Sequence, residues 1–336
     1  MSSVPPSISI VIPSWNGRML LEAMFPSLLL ATKEFRDKTG GAWEIIVVDD
    51  GSVDDTIPWI ETIPEKNIKL ITRRRKSGFV LACNLGFSAC RYDIIVLLSN
   101  DVTVDVAFFL PLPQHFEDAR VFGVTFKSMS RDRSSFHSGG KIGEFRMGFW
   151  KAYRNYDVAG VEHFNDSSAR CHSFTVCGAY CALSRPKLQQ LEGFELLMAP
   201  FYWEDVELSY RAWKRGWVVN YEPRIIVYLD AAEGLRGASH GLRFDRINTR
   251  NRFIFLWKNL HDPGMILLHF GATLLLLLQA VLTLRAAFVL GLWDAVRALP
   301  AILSKRRVER GARKVRDGAI RKMFAELKKR DFVVLK

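Results

Sequence analysis

Apolar residues in the first hundred positions come in short runs at 8–12 (ISIVI), 43–48 (WEIIVV), 68–72 (IKLIT) and 93–98 (DIIVLL). Runs of this length, rich in β-branched residues and closed by Pro13, DDGS or SND, predict strands buried on both faces, as in a parallel sheet. Residues 18–35 repeat apolar positions at helical spacing, 54–60 open a second helix with Asp54 or Asp55 near its N-terminus, and 80–90 form a third. Strand, helix, strand, helix is a doubly wound α/β pattern. After Pro111 the rhythm loosens. Residues 128–143, rich in Gly, Arg and Ser, are expected as a mobile loop region, 173–183 as a strand, and 204–215 as a helix with Glu207 and Arg211 paired at i, i+4. No internal repeat is visible. The expected units are residues 1–105, 106–250 and 251–336.

A different pattern occupies the C-terminal part. Residues 264–284 (GMILLHFGATLLLLLQAVLTL) carry no charge and are long enough to cross a bilayer as a helix. The polar side chains in this run, His269, Thr273, Gln279 and Thr283, fall within an arc of roughly 120° when each residue advances about 100°. A second apolar stretch, 286–303, is interrupted by Asp294 and Arg297. Basic residues flank the pair on both sides, Arg250, Arg252 and Lys258 before and Lys305, Arg306 and Arg307 after. That symmetry keeps both ends cytoplasmic and predicts helices lying in the interface or dipping in as a hairpin. A buried helix pair closing a soluble core is the alternative.

Charge sharpens this picture. The 336 residues hold 47 Lys+Arg against 35 Asp+Glu, a net +12, and residues 304–336 alone carry 13 basic and 4 acidic side chains, or +9. Such a patch suits an anionic partner, and the adjoining apolar stretch favours a membrane surface over nucleic acid. A hydrophobic share of 49% excludes disorder. The odd set of five cysteines, and an N-terminus without the features of a secretory signal, predict a reducing, cytosolic setting.

In an open α/β sheet, ligands bind beyond the carboxyl ends of the strands. Polar clusters stand there after three predicted strands: Ser14-Trp15-Asn16, Asp49-Asp50-Gly51-Ser52 and Asn100-Asp101. The first strand is followed by no GxGxxG, and GxxxxGK[ST] occurs nowhere, so a phosphate-bearing ligand needs a cation. Asp101, a hard oxygen donor, suits Mg²⁺ or Mn²⁺. Each cluster has a plainer reading. Asp49 and Asp50 also suit a turn before Gly51, Glu204 and Asp205 suit a helix N-terminus, and Tyr202 and Trp203 suit core packing as well as sugar stacking. Cys171, Cys177 and Cys181 with His172 lack a CxxC knuckle and point away from zinc.

Six segments, SIVIPSWNG, EIIVVDDGSVDDT, SGFVLACNLGF, IIVLLSNDV, CGAYCALSRPKLQQLEGF and FYWEDVELSYRAWKRGW, together resemble, in order, a family 2 glycosyltransferase. The resemblance covers residues 8 to about 260 and is nearest to the rhamnosyltransferase-like branch that builds bacterial surface polysaccharides. It implies a GT-A fold: a Rossmann-like nucleotide-sugar half, a mixed-sheet acceptor half and C-terminal membrane-associated helices. It further implies that Pro13, Ser14, Asn16, Asp49, Asp50, Asn84 and Asn100 bind the nucleotide-sugar. By the same resemblance Asp101 holds the divalent metal, Asp205 is the catalytic base, and Glu204 and Trp203 lie on the acceptor side. The implied donor is UDP- or dTDP-linked and the acceptor a lipid-linked glycan, handled at the cytoplasmic face of the membrane. Two departures stand out. Where the family usually has a His after a strand like YEPRIIVY, this chain has Leu229-Asp230, which leaves His240 as the candidate replacement. Arg73-Arg74-Arg75-Lys76 stands in place of an Asn-rich turn. The competing class is a basic, non-catalytic module that binds anionic lipid or nucleic acid.

Overall fold

The structure is a computed structural model and describes residues 5–159, 171–229 and 241–336. The first half alternates as its hydrophobic pattern predicts: β1 (Ile8–Ser14), α1 (Arg18–Thr39), β2 (Trp43–Asp49), α2 (Thr56–Glu61), β3 (Ile68–Thr72), α3 (Phe79–Ala89) and β4 (Ile94–Leu98). β3, β2, β1 and β4 lie side by side and parallel. Side chains alternate along β1. Ile8, Ile10 and Ile12 join the core under α1, whereas Val11 joins the opposite core with Val80, Cys83 and Phe87 of α3. Both faces are covered, so the strands read as continuous apolar runs.

The second half supplies β5 (Thr103–Val104), α4 (Leu112–Phe116), β6 (Val121–Met129), β7 (Phe136–Ser138), β8 (Gly140–Arg146), β9 (Phe149–Val158), β10 (Tyr180–Ser184), α5 (Arg185–Gln190), α6 (Glu204–Lys214) and β11 (Val218–Tyr228). β10 runs antiparallel to both β4 and β6, and β11 pairs parallel with β6, so the sheet continues as a mixed one. Two sequence expectations change here. Residues 128–143 are not a loose loop but the end of β6, a tight turn, β7 and most of β8. Their glycines admit aromatic rings, since a Cβ on Gly140 would lie 2.2 Å from Tyr156 and one on Gly143 2.2 Å from Phe174. Residues 173–179 are not strand. Several of their backbone groups are taken by side chains, with Val176 N donating to Ser209 Oγ (3.0 Å) and Cys177 N to Thr125 Oγ1 (3.1 Å), and only 180–184 forms a strand of the sheet.

The C-terminal part comprises α7 (Leu242–Asn259), α8 (Pro263–Leu282), α9 (Ala286–Arg297), α10 (Leu299–Ala312), α11 (Asp317–Leu327) and β12 (Val333–Leu335). The stretch 286–303 is split: α9 and α10 bend by 65° at Ala298, and Pro300 falls in the first turn of α10, where a missing N–H costs nothing. The basic end is folded rather than a free tail. β12 pairs antiparallel with β9, and Lys328 Nζ bonds Glu144 at 2.6 Å. Buried Asp317 gathers Lys214 Nζ, Tyr210 Oη (2.5 Å) and the backbone N–H groups of His261 (2.7 Å) and Asp262 (2.8 Å). α8 is amphipathic in an inverted sense. His269 and Thr273 face the body, while Leu267, Leu268, Phe270, Leu274, Leu275 and Leu278 are exposed.

Candidate active site

The carboxyl ends of β1, β2 and β4 meet as expected. Ser14 Oγ accepts from Asn100 Nδ2 at 2.9 Å, tying the β1 end to the β4 end, and a Cβ on Gly17 would lie 2.3 Å from both groups. Asn16, at φ 47°, clips the loop after β1 to the loop after β2: its Oδ1 accepts from Val53 N (2.9 Å) and its N donates to Ser52 Oγ (2.8 Å). The acidic pair at the end of β2 divides its labour. Asp50 accepts from Ser77 N (3.0 Å), Ser77 Oγ (2.6 Å) and Gly78 N (2.8 Å), with Arg73 Nε 3.6 Å away. Asp49 Oδ2 accepts from Gly51 N (3.1 Å) and Ser52 N (3.0 Å), but its buried Oδ1 has no partner among the described residues. Lys76 Nζ sits over the exposed Trp15 ring, and burial lowers its pKa. The basic turn 73–76, which departs from the family pattern, therefore borders the Asp50 cluster.

A second acidic pair comes from the other half. Tyr202 (φ 74°) and Trp203 (φ 71°) both adopt left-handed backbone before α6, a strained entry of a kind that clusters at functional sites. Glu204 and Asp205 follow in the first turn of α6. Glu204 is 8% exposed, its Oε2 has no partner among the described residues, and burial together with the neighbouring Asp205 pushes its carboxyl up to about 8. Asp205 is also raised by burial, against the opposing pull of the Val206 and Gly178 N–H groups and of Lys141. Its Oδ2 accepts from Gly178 N at 3.2 Å and its Oδ1 from Val206 N at 2.7 Å.

Two short bridges join the pairs. Ser99 N at the end of β4 donates to Ala179 O (2.6 Å), next to the Gly178 that holds Asp205. Gly78, which holds Asp50, packs against Pro200 so closely that a Cβ would lie 2.6 Å from Pro200 Cβ, and its φ of 98° independently requires glycine. Pro200 and the strained 202–203 turn lead directly into Glu204. Asn251 of α7 fixes this lead-in by donating to the carbonyls of Met198 (2.7 Å), Phe201 (2.9 Å) and Tyr202 (2.8 Å).

Asp101 is 8% exposed, its carbonyl accepts from Arg131 Nη2 (3.2 Å), and among the described residues no side chain donates to its carboxylate. Among the described residues no group of three or more His, Cys, Asp or Glu could enclose a metal by itself. A single open carboxylate fits an ion whose other ligands come from a diphosphate and water.

Two sequence-expected residues, Asn84 and Trp203, have their polar groups taken by other contacts. Asn84 spends both ends of its amide on the backbone of Phe194, donating to its O (2.8 Å) and accepting from its N (2.8 Å). Trp203 stacks on Phe255 (5.4 Å between centroids) and donates to Asn248 Oδ1 (2.6 Å), a packing role. His240 and Asp230 lie outside the described residues. Arg250 donates to Ala199 O and Asn251 Oδ1, and Arg252 lies over the Phe149 ring at 4.2 Å. The Glu207–Arg211 pair forms at 2.8 Å, but it is buried rather than a surface pair. Burial would raise Glu207; Arg211 and Lys258 instead hold it near 2. Sequence reasoning gave no role to Ser77, Gly78, Gly178, Lys141 and Asn251: the first three lie within segments that carry the resemblance but act through backbone groups or a hydroxyl, and Lys141 and Asn251 act across the fold.

The model of the family described as "Glycosyl transferase family 2" matches residues 9–188, 180 of the 336 positions. The chain belongs to glycosyl transferase family 2. Among curated relatives it is 24% identical over 196 residues to the poly-β-1,6-N-acetyl-D-glucosamine synthase of Staphylococcus aureus (strain COL), covering 58% of this chain and 44% of the synthase. It thus spans less than half the length of that relative. Solved structures share the GT-A fold. GalNAc-T7 with UDP, GalNAc and Mn²⁺ matches at TM-score 0.57 and 17% identity, over 78% of this chain and 49% of that one. A mannosyltransferase from Pyrobaculum calidifontis with GDP-Man and Mn²⁺ matches at 0.52 and 16%, over 97% and 86%. The expected mixed-sheet GT-A architecture holds. Membership of this family speaks for the transferase reading over that of a non-catalytic basic module.

Proposed function

We propose that this glycosyltransferase moves a sugar from a UDP- or dTDP-linked donor to a hydroxyl of a lipid-linked glycan acceptor, with inversion, at the cytoplasmic face of a membrane in surface polysaccharide synthesis. The observation that carries the reading is the convergence of Asp49–Asp50, Asp101 and Glu204–Asp205 through the Ser99–Ala179, Gly178–Asp205 and Gly78–Pro200 contacts. Asp49 Oδ1, buried and open, suits an N–H of the nucleotide base. Asp205, oriented by two backbone N–H groups and raised by burial, suits the base that takes the acceptor proton as its oxygen attacks the anomeric carbon. One base on the face opposite the leaving diphosphate gives direct displacement. Glu204, held neutral near pH 7, keeps a second negative charge away from Asp205. Asp101 would hold Mg²⁺ or Mn²⁺, whose charge offsets that developing on the leaving diphosphate. The exposed leucine face of α8 supports placement on a membrane surface.

The deciding test is nucleotide release across a panel of sugar donors with Mn²⁺ or Mg²⁺. Asp205→Asn and Asp101→Ala are expected to abolish transfer in protein that keeps its circular dichroism and melting transition. Full turnover by Asp205→Asn would remove the mechanism.

A further inference from the structure

The remaining excess of positive charge has a place in the fold. Where α7 passes into α8, the start of α8, α10 and the segment leading into α11 enclose a cavity of about 510 Å³ lined by His261, Asp262, Arg306, Arg310, Arg313 and Arg316. Those four arginines against one aspartate make an anion-attracting wall. Among the described residues, Arg310, Arg313 and Arg316 have no ion-pair or hydrogen-bond partner for their side chains. Arg306 gives one N–H to Trp257 O at 2.6 Å. Asp262 is partly spent, its Oδ2 accepting from Gly318 N at 2.8 Å. The independent sign of a built site is His261. The residue is 8% exposed and lines the cavity, yet among the described residues neither of its buried ring nitrogens has a hydrogen-bond partner. Burial, with Lys214, Arg306 and Arg313 nearby, lowers its pKa to about 4, so near neutral pH it offers one N–H donor and one acceptor.

The neighbourhood identifies the source of the anion. The cavity lies at the first turn of α8, the 20-residue helix whose exposed face carries Leu267, Leu268, Leu274, Leu275 and Leu278. A phosphate held there would have its alkyl chain continuing along an apolar surface. A soluble phosphate would gain nothing from that face. We infer that the cavity bounded by His261, Arg306, Arg310, Arg313 and Arg316 is a binding site for the phosphate headgroup of a membrane lipid, which seats α8 at the bilayer surface. It is assembled without Asp49, Asp50, Asp101 or Asp205, so it stands whether or not the donor and base assignments do.

The test uses the full chain, transferred from detergent onto vesicles and separated by flotation. Wild type is compared on phosphatidylcholine and on phosphatidylcholine with 30 mol% phosphatidylglycerol, a proportion of roughly one anionic lipid in three chosen to give a strongly negative surface. Arg310→Gln/Arg313→Gln/Arg316→Gln removes three partly or fully exposed charges from the cavity. Lys33→Gln/Arg36→Gln/Lys38→Gln removes three from α1 as a charge-matched control. At about fivefold per basic residue, the cavity variant should partition onto anionic vesicles roughly 100-fold more weakly, while the α1 variant stays near wild type. Inorganic pyrophosphate without lipid, titrated calorimetrically, separates the sources. Arginine-dependent vesicle binding supports the assignment whether or not pyrophosphate also binds. Arginine-dependent pyrophosphate binding with vesicle binding unchanged would make it a soluble-phosphate site and overturn the inference, as would equal losses in the two triple variants or none in either. His261→Gln, read in the same assay with its melting temperature, should weaken anionic-vesicle binding several-fold and leave binding to phosphatidylcholine unchanged.

Discussion

The two acidic pairs of the candidate site are held in different ways. Asp50, at the end of a parallel strand, is wrapped by Ser77 and Gly78, and Asp49 has one oxygen tied to Gly51 and Ser52. Glu204 and Asp205 follow two residues in left-handed backbone, and Glu204 Oε2 is buried without a partner among the described residues. The first pair contributes to stability by satisfying donors. The second is destabilising in itself and is held by what surrounds it, Asn251 above all, an arrangement that raises carboxyl pKa and favours proton transfer. The contrast is sharpest between Asp50, with three donors, and Glu204 Oε2, with none among the described residues, whereas Asp49 and Asp205 each accept from two backbone N–H groups.

The largest expected effect tests the reactive pair. Asp205→Asn should lower kcat by roughly 10²–10⁴-fold, the usual worth of a positioned base, with at most a modest fall in melting temperature, since the amide nitrogen cannot accept one of the two N–H bonds that Asp205 takes while the buried charge is removed. A variant that loses stability together with activity would mean that both pairs are structural. Next, Asp50→Ala leaves Ser77 and Gly78 donors unpaired and should cost about 2–4 kcal/mol in urea denaturation. A loss of less than ~1 kcal/mol would erase the contrast between the pairs.

Glu204 gives the comparison a pH dependence. Its folded pKa of about 8 lies above its ordinary value of 4.5, so the folded state holds a proton that the unfolded chain has released. The stability this provides is fully present below pH 4.5 and is lost as pH rises toward 8, at up to about 1.4 kcal/mol per pH unit. Glu204→Gln should flatten that slope in melting curves taken between those limits. An unchanged slope would show that Glu204 is ionised in the folded protein.

How much was legible in the sequence follows the same division. β1 to β4 and their polar ends could be read because strand period, turn residues and motif lie close together in the chain. Glu204–Asp205 could be found only by resemblance, since ED before an amphipathic helix is ordinary. Residues 128–143 misread as loop because glycines that admit Tyr156 and Phe174 have the composition of a turn. How the basic C-terminal residues pack was not legible because what folds them, the Asp317 cluster, draws on Lys214, Tyr210 and the 261–262 backbone, contacts that span about a hundred residues or about fifty-five. Charge counting finds such a segment but cannot show what it packs against.

The smallest effect separates support from binding in the nucleotide half itself. Asn84 falls in a segment that matches the family, yet its amide makes both of its bonds to Phe194, the residue that follows the Glu192–Gly193 turn. Asn84→Ala should lower stability by about 1–2 kcal/mol, two buried hydrogen bonds to backbone, and leave the KM for the donor within about twofold of wild type. The turn it braces leads into the 196–203 segment that sets the entry to α6, so kcat should fall modestly while KM holds. A large rise in donor KM with unchanged stability would place Asn84 among the residues that touch the nucleotide.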